Sequence, residues 1–325
     1  MTESREEFDV VTERGKPAVI LAKPERVGGP EAWVERQCDR IRSVVAGHGA
    51  VVVRGLELVE LPRIDLASRL LSTSVMVERE GFAPREQRRR HLYSGTKWPS
   101  DQVMCMHHEL SYLRTAPSLL MFSCLTAPGE GGATAVADAA AVLGDLPGDL
   151  VRRVAGEGWW LDRNYHEEIG VPWEAAFGTS DRAAVEKYCR DNDIEFAWTD
   201  GGLRTSQLRP GVVTHPGTGE RCWFNQLAFL NEHTMEPDVR DYLLAAFGPA
   251  GLPFTTRFGD GEPLDRATVD LVNKVYGERT SREPWQRGDL LLVDNIRMAH
   301  SREPYRGERD VVAAFADPFE PAALR

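Results

Sequence analysis

The chain's 325 residues include two adjacent histidines, a glutamate beside them and a third, distant histidine, and these could together hold a metal. In the apolar stretch MCMHHELSY, residues i and i+2 of a strand project to the same face. This alternation groups His107 with Glu109 and sends His108 to the other side. One imidazole and one carboxylate hold a metal poorly, so a third ligand has to come from elsewhere. His300, in VDNIRMAHSREPYRGERD, is the candidate. Two histidines and one carboxylate leave three positions open, which suits non-haem Fe(II) that must admit a co-substrate and dioxygen together. The same ligands also serve zinc, so the ligand types alone leave a hydrolase open. A 2-oxoglutarate chelating iron through its keto acid end would leave its far carboxylate to be neutralised. Arginine suits that task, because its planar fork matches a carboxylate and stays charged when buried. Arg309 follows His300 on the next strand-like run, and Thr134 in the turn GGAT can add a hydroxyl hydrogen bond.

These residues must be carried by a scaffold, and the hydrophobic pattern suggests which. PEAWVERQCDRIRSVVAGHG has apolar residues at helical spacing and ends at glycine, which predicts an amphipathic helix. AVVVRGLEL, PSLLMFSCLTAP, GWWLDRNYH, RCWFNQLAFLN, GDLLLVDN and RDVVAAFADP are apolar and β-branched or aromatic, as strands would be. Further helices are expected near Ile64–Leu71, over 139–154, and in DRAAVEKYCRDN, DVRDYLLAAFG and ATVDLVNKVYGERT. No internal repeat or low-complexity linker interrupts the chain. The expectation is one mainly β domain over 1–325 with flanking helices, the helical insertions falling around 139–200 and 235–280.

Composition removes several function classes. With 42% hydrophobic residues the chain can bury a large core, and a net charge of −11 disfavours a phosphate backbone as partner. The basic run REQRRR, Arg85 to Arg90, is short and is read as a solvated face. Five scattered cysteines form no CxxC pair, and the N-terminus MTESREEFDVV is polar and acidic rather than a signal peptide. No apolar run approaches the ~18 residues that span a bilayer. A soluble cytoplasmic protein is expected, with no nucleic-acid and no membrane partner.

Taken in order, VVVRGLEL, MHHELSY, GEGGATAVAD, DRNYH, FGTSDRAAVEKYC, LRTSQLRPGVVTHPGTGERCWFNQ and RGDLLLVDNIRMAHSREPYRGERD resemble the TauD/TfdA superfamily of Fe(II)/2-oxoglutarate oxygenases. The resemblance covers nearly the whole chain. It lies closest to the branch of clavaminate synthase, the asparagine and arginine hydroxylases and the SyrP-like enzymes of peptide antibiotic pathways. It implies a double-stranded β-helix, or jelly roll, with His107, Glu109 and His300 as iron ligands, and Arg309 and Thr134 on the far carboxylate of 2-oxoglutarate. Three positions depart from relatives: His108 stands where asparagine is common, Ser301 where glycine is, and Asp310 where many carry a second arginine.

The implied reaction is oxygen-dependent conversion of 2-oxoglutarate to succinate and carbon dioxide, coupled to hydroxylation of an unactivated C–H bond. Related halogenases lack the carboxylate ligand, so Glu109 argues for hydroxylation, with desaturation, cyclisation and epoxidation left open. A catalytically inactive jelly-roll binding protein is the alternative of another class. The substrate implied is a small molecule, an amino acid or a derivative of one, free or tethered to a carrier protein. The chain's acidic charge is a modest point for the free form. Asn225 and Gln226 in WFNQ are expected to reach the substrate. Arg163, Arg204 and Arg297 are read either as binders of a substrate carboxylate or as structural partners. His108 is read either as a core histidine or as a substrate contact, and His166 and His215 are given structural roles.

Overall fold

The computed structural model describes residues 8–166 and 170–324. Its centre is a nine-stranded sheet whose middle is formed by Leu290–Asp294, Ala116–Thr126 and Asp310–Phe319, hydrogen-bonded in that order and antiparallel. Opposite it lies a four-stranded sheet, ordered Thr280–Ser281, Thr134–Asp138, Met298–Arg302 and Met104–His107.

Strand periodicity divides each central strand between two cores. Leu290 and Leu292, Met121, Val51 and Val53, and Val312 and Ala314 face a layer built on Trp33, Val34, Ile41 and Val45 of the helix Pro30–His48 and Ile64 and Ala67 of the helix Leu61–Leu70. Their neighbours Leu291, Val293, Leu120, Phe122, Ala50, Val52, Ala313 and Phe315 turn the other way, onto Val136, Ala137 and Ala299 of the small sheet. A sheet covered on both faces has no solvent side, so its strands read as unbroken apolar runs. The two facing sheets form the jelly-roll core, with helices packed outside. Gly49 closes the first helix at φ +75, and a Cβ there would stand 2.5 Å from Met298 Sδ. The close approach of helix end and small sheet therefore requires glycine.

Several expected elements change in detail. The helical stretch 139–154 is two helices, Ala139–Asp145 and Gly148–Glu157, broken at Pro147. The region 139–200 holds more than helices: its strands Trp159–His166 and Glu195–Thr199 join Gly202–Arg209 and Phe254–Phe258 in a second four-stranded sheet. That sheet carries its own core of Tyr165, Trp173, Phe177, Val185, Cys189 and Leu203. In RCWFNQLAFLN the strand covers only Arg221–Trp223, and the rest is buried turn. All five cysteines are free thiols. Among the described residues, no helix is long and apolar enough to cross a membrane.

Candidate metal centre

The small sheet places two of the three candidate metal ligands. Met104–His107 and Met298–Arg302 are antiparallel neighbours, and their register sets His107 directly opposite His300. The two rings lie 4.3 Å apart between centroids. Cross-strand partners share a face, so one pairing brings together residues almost two hundred positions apart in the chain. The register shifts between His300 and Arg302, a bulge next to the site.

Glu109 joins them by a different route from strand alternation. The strand ends at His107, and Glu109 lies in the turn that follows, where Leu110 takes φ +54. The side chain of Asn295 holds this turn. Its Oδ1 accepts from the Glu109 N–H at 2.8 Å, and its Nδ2 donates to the Glu109 carbonyl at 2.9 Å and to Pro117 at 2.7 Å. All three functional side chains are buried, and one ligand atom from each lies within 4.8 Å of the others.

The unpartnered atoms fit a metal. His107 donates from Nδ1 to the Cys105 carbonyl at 2.9 Å, which leaves its Nε2 lone pair free, and no protein group meets that atom. Burial, with the nearby His300, pushes the His107 imidazole down to about 3, so it stays neutral, as a ligand must. Glu109 Oε1 and His300 Nδ1 also lack protein partners. Burial alone would raise the Glu109 carboxyl. The Arg85 guanidinium and the two histidines outweigh it and hold the group well below the usual carboxylate range. Buried polar atoms without partners are rare, and their clustering here matches a cation site for nitrogen and oxygen donors.

His108 takes no part in this cluster. It is fully buried against Phe224, donates from Nδ1 to the Asn295 carbonyl at 2.6 Å, and burial lowers it to about 4. It reinforces the same turn from the far side.

A cavity of about 290 Å3 opens beside His300 and is also lined by Arg85, Trp98, Phe122, Thr134 and Arg309. Arg309 donates from Nε to the Gly132 carbonyl at 2.9 Å and from Nη2 to Thr134 Oγ1 at 3.2 Å. No carboxylate pairs with it among the described residues. Burial, with the repulsion of Arg302, lowers it to about 10, still charged at neutral pH. A half-buried cation without a counter-charge, lining a cavity, is suited to an anion. Gly132, at φ +69, makes the cradle possible, since a Cβ would meet Pro128 at 2.8 Å, Tyr305 at 2.9 Å and Arg309 at 3.2 Å. Asp310, in the place of a second arginine, is engaged by Arg88 at 2.8 Å.

The expected substrate residues are placed elsewhere. Asn225 is buried in its own turn, donating to Gly211 at 2.8 Å and accepting from Leu227 N–H at 3.1 Å. Gln226 donates to the His108 carbonyl at 2.7 Å and so supports the ligand turn from behind. Arg163 is buried and spends its guanidinium on the carbonyls of Glu80 at 2.6 Å and Gly81 at 2.9 Å. Arg204 is exposed on the inserted sheet and does not line the cavity. Arg297 donates to the carbonyls of Ala46 and Gly47, each at 3.0 Å. His215 pairs with Asp294 at 2.8 Å, a structural contact. Asn225, Gln226 and Arg163 are buried and hydrogen-bonded within the protein, Arg297 is half-buried against the first helix's carbonyls, and Arg204 is exposed.

Arg85 and Asn295 were not singled out from the sequence. Glu86, Gln87, Arg89 and Arg90 are exposed, as a solvated REQRRR face requires, but the Arg85 side chain turns inward and donates from Nη2 to Glu109 Oε2 at 2.9 Å. Nothing local distinguishes it from its neighbours. Asn295 has no motif of its own either, apart from preceding His300 at the end of a strand.

Comparison with known proteins agrees with this geometry. Residues 17–315 match the family described as taurine catabolism dioxygenase TauD, TfdA family. The chain is 31% identical to the dapdiamide synthesis protein DdaC of Enterobacter agglomerans, over 87% of this chain and 86% of that one. It is 28% identical to a clavaminate synthase-like protein of Arabidopsis thaliana, over 86% and 85%. Its fold is similar to a taurine dioxygenase from Burkholderia xenovorans (TM-score 0.53, 15% identity, 97% and 91% covered). It is similar in the same way to PvcB from Pseudomonas aeruginosa (TM-score 0.54, 14% identity, 97% and 93% covered). The chain belongs to the TauD/TfdA family of dioxygenases, enzymes that use Fe(II), 2-oxoglutarate and dioxygen.

Proposed function

We propose that the protein hydroxylates an unactivated C–H bond of an amino acid or amino-acid-derived small molecule, with His107, Glu109 and His300 holding Fe(II). The observation that carries this reading is the buried triad beside a cavity lined by both His300 and Arg309, an arginine with no acidic partner among the described residues. Likeness to a dapdiamide synthesis protein supports a natural-product role. When bound, iron and 2-oxoglutarate supply the oxygen activation, with succinate and carbon dioxide as co-products.

The chain's own residues supply placement. The His107 imidazole is fixed in the tautomer that presents Nε2, because its Nδ1–H is taken by the Cys105 carbonyl. Arg309 and Thr134 would hold the far carboxylate of 2-oxoglutarate, with Gly132 keeping the guanidinium within reach. The stacked rings of His107 and Phe229, 4.4 Å apart, and the edge of Phe82 on Phe229 wall the centre with apolar surface. That wall keeps water and stray reductants from the metal. Retention of Glu109 favours hydroxylation, and desaturation, cyclisation or epoxidation would differ only in how the substrate sits.

Succinate formation against a panel of free and carrier-tethered amino acids tests the proposal. Turnover that requires 2-oxoglutarate and one class of amino acid supports it. Metal-dependent turnover without 2-oxoglutarate would indicate a hydrolase, and binding without turnover an inactive binding protein.

A further inference from the structure

We propose that Arg85 is a positioning residue for the metal centre, a fixed cation that holds the Glu109 carboxylate in ligating orientation. The proposal rests on the triad reading above. Two of the three guanidinium nitrogens are hydrogen-bonded, and the third, Nη1, has a carboxylate nearby but no hydrogen bond. Nε donates to Thr96 Oγ1 at 2.8 Å, Nη2 donates to Glu109 Oε2 at 2.9 Å, and Nη1 lies 3.4 Å from Glu78 Oε1. The group sits 5.2 Å from the centre of the Phe315 ring, so the core of the large sheet supports it from one side. The side chains of Arg85 and Glu109 are 6% and 1% exposed, so bulk water cannot substitute for the pair.

The consequence concerns the carboxylate. Asn295 fixes the backbone of Glu109 but touches neither side-chain oxygen. Without Arg85, rotation of the carboxylate would be limited only by His300 Nε2, 3.6 Å from Oε2. With Arg85 on Oε2, the plane of the group is set and Oε1 is left without any protein partner. Outer partners of ligating carboxylates orient them and tune the metal, and losing one weakens metal binding by roughly 10- to 100-fold. The opposing effect is repulsion between the guanidinium and a bound cation, which would make removal of Arg85 tighten the site. The orientation effect is expected to win, because an ionised carboxylate with no buried donor has no other fixed geometry.

Anaerobic Fe(II) titrations compare the wild-type protein with Arg85→Gln, Arg85→Lys and Thr96→Val, and with Arg85→Ala with and without millimolar guanidinium. The second readout is the visible charge-transfer absorption of the Fe(II)–2-oxoglutarate complex. Arg85→Gln is expected to bind Fe(II) roughly 10- to 100-fold more weakly, with a shifted absorption. Arg85→Lys should fall between it and wild type, and guanidinium should restore binding to Arg85→Ala. Unchanged or tighter binding in Arg85→Gln overturns the proposal. So does a loss that neither lysine nor guanidinium repairs, since a merely structural role would show that pattern. If Arg85→Gln fails to fold, Thr96→Val decides: a few-fold weaker binding supports the proposal, and wild-type binding overturns it. Absence of Fe(II) binding by the wild-type protein overturns the triad reading itself, a separate result from wild-type behaviour of the variants.

Discussion

Replacing Arg309 with alanine separates the co-substrate site from the metal site. Arg309 lines the cavity with Thr134 and has no acidic partner among the described residues, so the far carboxylate of 2-oxoglutarate would be its counter-charge. Removing one partner of a desolvated, hydrogen-bonded charge pair costs about 2–4 kcal/mol. At about 1.36 kcal/mol per tenfold, that is a rise of roughly 30- to 1000-fold in the 2-oxoglutarate KM. Arg309→Lys keeps the charge but loses the fork, and about 1–2 kcal/mol corresponds to a rise of roughly 5- to 30-fold. Thr134→Val removes one neutral hydrogen bond, about 1 kcal/mol, and should raise KM about five-fold. The assay is steady-state succinate formation with 2-oxoglutarate varied at saturating Fe(II), alongside an anaerobic Fe(II) titration. Iron affinity should be nearly unchanged in all three variants. Without co-substrate, Arg309→Ala should be no less thermally stable than wild type, because it removes a half-buried cation with no acidic partner among the described residues. An unchanged KM, or a loss of iron binding equal to the loss of 2-oxoglutarate binding, would refute this division of labour.

Three further outcomes follow from the same geometry. His107→Ala should abolish Fe(II) binding and 2-oxoglutarate turnover, while His108→Ala keeps measurable uncoupled decarboxylation; an iron titration giving the reverse would reassign the ligand. The metal-free protein should lose stability as pH falls from about 6.5 to 5, by about 2 kcal/mol for each of His107 and His108. Both imidazoles are held near 3 and 4 by burial, so the unfolded chain takes up protons in this window and the folded one does not. Glu109 contributes nothing there, since a depressed carboxyl loses its stabilisation only as pH falls below about 4.5. Urea unfolding at several pH values checks this, and His108→Gln should remove its share of the slope. Arg163→Leu should cost about 2 kcal/mol of stability with iron and 2-oxoglutarate binding intact, and Arg204→Ala should change neither stability nor kinetics by more than the error of either assay.

The sequence made the donor types legible because the chemistry constrains them tightly. His107, Glu109 and His300 are the residues that the fold gathers, and Thr134 and Arg309 meet beside them. The reason offered for Glu109 was incomplete. Alternation explains His107, but Glu109 sits beyond the strand end and depends on Asn295, whose contact spans 186 positions. No local pattern encodes a clamp formed at that separation. Arg85 was hidden for a related reason, since only the folded core of the large sheet distinguishes it from Arg88, Arg89 and Arg90. The substrate candidates illustrate a different difficulty. Asn225, Gln226 and Arg163 are polar, and from sequence a polar side chain that binds a ligand looks the same as one that satisfies buried backbone. Each of the three donates to buried backbone carbonyls.

A crystal structure grown anaerobically with Mn(II) and 2-oxoglutarate tests the central claim most directly, because anomalous scattering locates the metal without assumptions about turnover. The account predicts one metal at roughly 2.2 Å from His107 Nε2, a Glu109 carboxylate oxygen and a His300 ring nitrogen. It also predicts the far carboxylate of 2-oxoglutarate on Arg309 and Thr134. A metal bound through His108, or 2-oxoglutarate anchored away from Arg309, would contradict it.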